Sequence, residues 1–499
     1  MITLRHPDDI TLKTLEAVAY EGQPLALDHA LLDTVRRSHE AMRAALANGE
    51  RVYSINTGAG FLAARDLSES EQTSHQRNLL LGRAVGSPPF LSTEEVRTLL
   101  VVRLVNFLSG YSGVRPELCR FVVDRLNDEF TPAVPRTGIG ASGEVIPLSH
   151  TFQTFLGVGS VVNADGTIQD AASALEERGV TPYEPAPKEG IALLAGSPGT
   201  VAISIARLRA AATLSKQLLF SAACAIHAVR APLSVYGEHI ERLGNDDVLS
   251  DVLSRLRDLL RGSTAKQSSL QAPVSFRVAP QVITHVERTI SRFAADIERS
   301  LGAVTDSPAF VDGRFVSTGG FHEVELAAGM DMCATALIRA AELSAQRIHR
   351  MLDSRFSGLP DQLTSLPGPQ AGLILVHKRA VGVVNELRRL AAPASIGLAD
   401  TSLGQEDAMT FAFEAAEKSR RVESLVRDVI SCELLVARQA WALRGEEVPE
   451  GLRSVAQSVM DAVDPVNEDR PLGPDITRLI EMLERGEFAM MVEVGDRHG

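Results

Sequence analysis

No two of the four cysteines, Cys119, Cys224, Cys333 and Cys432, stand in a CxxC pair. That spacing argues against a zinc knuckle or a disulfide framework, and buried thiols in a reducing cytoplasm are the expectation. Twelve histidines are present, yet none forms His-x-His or His-Glu-x-x-His, so no metal is expected. A basic excess is also missing. The formal net charge is −13, which lacks the electrostatic footprint of a nucleic-acid binder. The N-terminus has no charged-then-apolar signal pattern. Leu218 to Val229, the most apolar segment, is too short to span a bilayer and reads as a buried helix, so no membrane partner is expected.

What is present is a composition suited to a large core: 499 residues, 45% hydrophobic and 23% charged. Residues 30 to 50 read as an amphipathic helix closed by Asn48-Gly49. Ser92-Thr93-Glu94-Glu95 reads as a capping box opening the next clear helix. Residues 113 to 150 and 182 to 200 are rich in proline and glycine and read as loops. Beyond 200 the sequence is almost wholly helical. Val282, Val286, Ile290, Phe293, Ile297 and Leu301 keep an i, i+4 stripe, and Leu326, Met330, Cys333, Leu337 and Ala340 keep another. Ser402 to Gln405 reads as a second capping box, opening a helical run to about Arg444. The expected fold is mainly α, a long central helix bundle with a loop-rich N-terminal domain. Residues 1–200 and 201–499 are the expected domains.

One loop has chemistry of its own. In Ala141-Ser142-Gly143 the nitrogen of Gly143 can attack the carbonyl carbon of Ala141 where the fold bends the chain tightly. Loss of two waters then leaves a methylidene-imidazolone, an electrophile that no standard side chain supplies. Glycine suits the attack because it has no Cβ. A tripeptide of such common residues arises by chance in roughly one chain in five of this length. The surrounding Gly138-x-Gly140-x-x-Gly143 also imitates a dinucleotide fingerprint. Pro132, Pro135 and Pro147 around it do not fit the strand and helix which that motif requires.

Other loops agree with this one in order. They are Tyr53-x-Ile55-Asn56-Thr57-Gly58-x-Gly60, Asn78-Leu79-Leu80, and Gly140 to Glu144 with Pro147-Leu148-x-His150. Next come Ser275-Phe276-Arg277-x-x-Pro280-Gln281-Val282, then Thr305-Asp306-x-Pro308 with Gly319-Gly320-Phe321-His322, and finally Pro393-Ala394-Ser395 with Gln405-Glu406-Asp407. Together they resemble the methylidene-imidazolone ammonia-lyases and aminomutases, whose best-known member is histidine ammonia-lyase. The resemblance implies a mainly helical fold of the ammonia-lyase and fumarase type. It also implies a homotetramer with active sites shared between subunits, and a group formed from Ala141, Ser142 and Gly143.

It further implies roles. Tyr53 is the expected base for the substrate's β-proton, and Ser142 supplies the electrophilic carbon. Arg277 is the expected partner of the substrate carboxylate, with a structural salt bridge as the bland alternative. Glu406 would orient the substrate amine, or would merely complement a helix dipole. Asn78, Gln271 and Gln281 are expected at the site, and Phe321 against the ring or else in the plain core.

The sequence departs from the histidine-type pattern at Gly82-Arg83, Ala195, Val274, Ser307, Ala408 and Glu144. Most of these changes remove a polar partner or enlarge the pocket. A permanent cation at Arg83 stands where side-chain recognition is expected; it selects a negative or hydrogen-bond-accepting substrate group, or pairs with Glu406 and only shapes the pocket. The expected activity is therefore elimination of ammonia from an α-amino acid, histidine-like or other, with a non-standard substrate. A 2,3-aminomutase and a binding or structural tetramer are the alternatives.

Overall fold

The structure is a computed structural model that describes residues 1–263, 269–445 and 447–489. The architecture is mainly helical. Among the described residues only three small two-stranded sheets occur: Ile2–Leu4 with Leu25–Leu27 in parallel, Ser160–Val162 with Ile168–Asp170, and Ala309–Val311 with Arg314–Val316, the last two antiparallel.

The chain divides into two compact units. The first comprises 1–206, 294–330 and 394–417; the second comprises 207–293, 331–393 and 418–499. A contiguous split at 200 places the first junction close to this one. The units themselves are not contiguous, because the ends of long helices and the loops beside them return to the first unit.

In the first unit, the helix Thr93–Leu108 is buried all round, and Ser92 caps it as the sequence indicates. Its apolar residues fill the core, but Arg103 within it is also fully buried. The helices Glu69–Leu81 and Glu189–Leu194 pack so closely that a Cβ on Gly190 would lie 2.3 Å from the backbone oxygen of Gln76. Only glycine permits that approach.

The core of the second unit is built on residues of the helices Pro198–Ala228, Ala279–Leu301, Val324–Met351 and Ala412–Arg444. Val422, Val426, Val429, Ile430, Leu434 and Ala437 are buried there, as their spacing requires. Within this core Glu433 accepts from Ser344 Oγ at 2.6 Å and from Arg347 Nη2 at 2.9 Å, so the buried charge is paired. All but the last residue of the apolar Leu218–Val229 segment belongs to a longer helical stretch, Glu189–Ala228, which is long and apolar enough to cross a membrane. Burial of 78% of its most apolar window makes it a core helix. All four cysteines are free and buried.

The capping box expected at Ser402 is corrected. Ser402–Gly404 forms a separate short turn with no side-chain cap, and the long helix starts at Ala412. Ser402 and Leu403 adopt positive φ, outside the right-handed helical region. The Ser402 hydroxyl donates to the Glu406 carboxylate at 3.0 Å instead of capping a helix.

Candidate active site

The Tyr53 loop is held by its own polar side chains. Val52 N donates to Asn56 Oδ1 at 2.7 Å, Ser54 N donates to Thr57 Oγ1 at 3.1 Å, and Asn56 Nδ2 donates to Glu50 O at 2.7 Å. These bonds replace a regular ladder and fix the bend. Tyr53 lies at its tip, where its hydroxyl oxygen accepts from Gly60 N at 2.8 Å.

The Ala141-Ser142-Gly143 loop is anchored at both ends. Arg136 N donates to Pro89 O at 3.1 Å before it, and the helix Val145–Gln153 follows it. His150 in that helix accepts from Gly86 N at 2.9 Å, and burial lowers its pKa, so the neutral ring suits this role. Glu144 is buried. Its carboxylate accepts from Gly199 N at 2.6 Å and from Thr200 N, at the start of the Pro198–Ala228 helix. Desolvation pushes its pKa up to about 7 against those stabilising bonds.

Beneath lies a buried charged layer. Arg103 Nη1 donates to Ala192 O at 3.1 Å and Nη2 donates to Ala195 O, fixing the turn that leads into Gly196. Desolvation lowers the Arg103 pKa to about 10. Lys188 Nζ pairs with Asp306 Oδ2 at 3.1 Å, and both side chains are wholly buried. The residue after Asp306, Ser307, faces open space.

That space is a cavity of about 490 Å³, within the size range of small-molecule sites. Tyr53, Ser142, Gly143, Phe321 and Glu406 all line it, together with Glu144, Ser307, Ser317, His322, Gln405 and Asp407. Glu406 Oε2 accepts from Ser142 N at 3.2 Å, and Ser142 Oγ lies 3.8 Å from Met409 Sδ. A Cβ on Gly143 would meet only the Phe321 ring, at 3.8 Å. No lysine or arginine is among the residues lining this cavity.

Other sequence-selected residues lie elsewhere. Asn78 is an exposed residue of the Glu69–Leu81 helix and is not among the cavity's lining residues. Arg83 is also absent from the lining. Its Nη1 donates to Leu79 O at 3.2 Å, and burial lowers its pKa against the opposing influence of Tyr53 and Glu406. Gln271, Arg277 and Gln281 belong to the second unit. Arg277 Nε is buried without a hydrogen-bond partner there, which leaves the guanidinium with donor capacity to spare. Glu406 is not in the first turn of a helix, so the dipole explanation for it is withdrawn.

The sequence reading missed Arg103, Lys188 and Ser317, and named His322 only within a motif, with no role. An arginine inside the apolar run Leu99–Phe107 was the available signal for the first. No group of three or more potential metal ligands occurs among the described residues.

Comparison with known proteins agrees with this geometry. The aromatic amino acid lyase family model matches residues 10–464. Histidine ammonia-lyase of Gloeobacter violaceus is 34% identical over 494 residues, covering 97% of this chain and 96% of that one. The enzyme of the same name from Symbiobacterium thermophilum is 32% identical, covering 97% of each. Tyrosine aminomutase from Streptomyces globisporus superposes with a TM-score of 0.91 at 26% identity, covering 98% of each chain. The loops that converge on the cavity therefore have a family to match: this chain belongs to the aromatic amino acid lyases, enzymes of the carbon–nitrogen lyase class.

Proposed function

We propose that the protein eliminates ammonia from an α-amino acid at a methylidene-imidazolone formed from Ala141, Ser142 and Gly143. The observation that carries this reading is the single cavity lined by Tyr53, Ser142, Gly143, Phe321 and Glu406. The tripeptide fits the group. Its Gly143 is free of steric neighbours except the Phe321 ring, which is placed to lie against a planar heterocycle. Once formed, the group supplies an electrophilic carbon that takes up the substrate amine and makes it a better leaving group.

The chain's own residues do the rest. Tyr53 accepts the β-proton, and the Gly60 N–H fixes where its oxygen sits. Glu406 and Asp407 give the cavity a negative wall that orients the substrate ammonium. With no cation in the cavity lining, the substrate carboxylate needs one from elsewhere, and Arg277 with its spare donor is the proposed partner. Gln271 and Asn78 are proposed at the rim of the assembled site. The proposed assembly is a homotetramer with shared active sites. Exposed Phe61, Leu62 and Leu403 offer apolar surface for another copy. Residues 1–200 supply the ring-forming loop and 201–499 supply the long helices. The free, buried cysteines support a cytoplasmic location.

Arg83 feels the charge of Tyr53 and Glu406 through space. Its absence from the lining favours shaping the pocket over touching the substrate side chain. Incubating the purified protein with a panel of α-amino acids tests the function: release of ammonia with an α,β-unsaturated acid supports it. The likeness to tyrosine aminomutase favours a second reading, and a β-amino acid product would establish that one instead.

A further inference from the structure

We propose that Glu406 is the proton acceptor that completes ring closure of the Ala141-Ser142-Gly143 tripeptide. This rests on the reading above and adds a role for Glu406 before any substrate arrives. Ring closure must break the Ser142 N–H bond, because that nitrogen ends as the imine nitrogen of the ring. Glu406 Oε2 lies 3.2 Å from that nitrogen and already accepts its hydrogen.

The carboxylate is held for this contact. Its other oxygen accepts from Ser402 Oγ at 3.0 Å. The loop that carries it is closed by Thr401 N to Glu406 O at 2.8 Å and by Glu406 N to Thr401 O at 3.3 Å. The positive φ of Ser402 and Leu403 turns the chain back to make that closure. Glu144 and Tyr53 are engaged elsewhere, and of the acidic side chains lining the cavity Glu406 is the one that accepts from Ser142 N. Glu144 accepts from Gly199 N and Thr200 N, and the Tyr53 oxygen accepts from Gly60 N.

The steps balance without any added reagent. The Gly143 nitrogen lone pair forms the bond to the Ala141 carbonyl carbon, and the carbonyl π pair moves to oxygen. That oxygen takes the proton lost from Gly143 N and becomes a hydroxyl. Glu406 then removes the Ser142 N–H proton, and the released electron pair forms the C=N bond as the hydroxyl departs. The same proton passes from Glu406 to the departing oxygen, giving the first water. The Cα proton and the hydroxyl of Ser142 leave as the second water, which creates the methylidene. Glu406 ends as it began, free of that proton and facing the cavity.

The test is a time course of intact mass during cell-free synthesis, with circular dichroism to check the helical fold of each variant. Ser142→Ala is the reference that cannot mature. Wild type should become two waters lighter. Glu406→Gln keeps an acceptor oxygen but loses the basicity, so maturation should slow by roughly 100-fold or more, as for removal of a positioned proton acceptor. Should that variant fail to fold, Glu406→Ala decides: it should stay at full mass and mature when formate is supplied. Maturation of Glu406→Gln, or of Glu406→Ala without formate, at the wild-type rate would overturn the proposal while leaving the proposed function intact. A wild-type protein at full encoded mass would overturn both.

Discussion

Glu144 reaches from the residue after the tripeptide to the first turn of the Pro198–Ala228 helix, where its carboxylate accepts from Gly199 N at 2.6 Å. A Cβ on Gly199 would lie 2.7 Å from the same carboxylate, so only glycine leaves room for the contact. The Ala141-Ser142-Gly143 loop and the first turn of this helix are tied by one buried side chain.

Burial of that side chain makes stability pH-dependent. Burial raises the Glu144 pKa from 4.5 to about 7, so the folded protein holds a proton there that the unfolded chain releases. The stabilisation is full below about pH 4.5 and is lost as pH rises through about 7. The change is on the order of 3 kcal/mol. Thermal unfolding across this range should show the loss, and Glu144→Gln should reduce the slope.

Gly190→Ala should destabilise the first unit. The new Cβ would meet the Gln76 backbone oxygen at 2.3 Å, and backbone cannot rotate away as a side chain can. A cost of about 1–3 kcal/mol is expected, read from the denaturation midpoint.

Lys188→Met should be worse. It removes the cation paired with Asp306 at a wholly buried position where one carboxylate oxygen already lacks a partner. Loss of about 3–5 kcal/mol is expected. A double variant, Lys188→Met with Asp306→Leu, should recover part of it, as measured by chemical denaturation.

Tyr53→Phe separates chemistry from folding. The residue is 38% exposed and, among the described residues, its hydroxyl bonds to Gly60 N alone, so the unfolding midpoint should barely move. Turnover should fall by roughly 10²–10⁴-fold, the usual contribution of a positioned proton acceptor. A steady-state assay on the substrate found in the amino-acid panel checks it.

The long helices were legible because their apolar stripes run for many turns, as in Val282 to Leu301. The tripeptide and Tyr53 were legible because glycines, Asn56 and Thr57 mark loops with fixed side-chain bonds. The loop at 402–406 was not: serine followed three residues later by glutamine looks like a cap, and only the positive φ at Ser402 and Leu403 reveals a turn. Nor could the sequence locate Arg83 or Asn78 relative to the cavity, since one residue along a helix end changes which way a side chain faces. The charged layer of Arg103, Lys188 and Asp306 was hidden for a different reason. Buried ion pairs join residues far apart in sequence, and no local pattern announces them.

The central claim is that the Ala141-Ser142-Gly143 tripeptide becomes an electrophile. Intact mass of the purified protein tests it most directly. The account expects wild type to be two waters lighter than its encoded chain and Ser142→Ala to show no such deficit beyond its substitution. A wild-type mass equal to the encoded chain would contradict it.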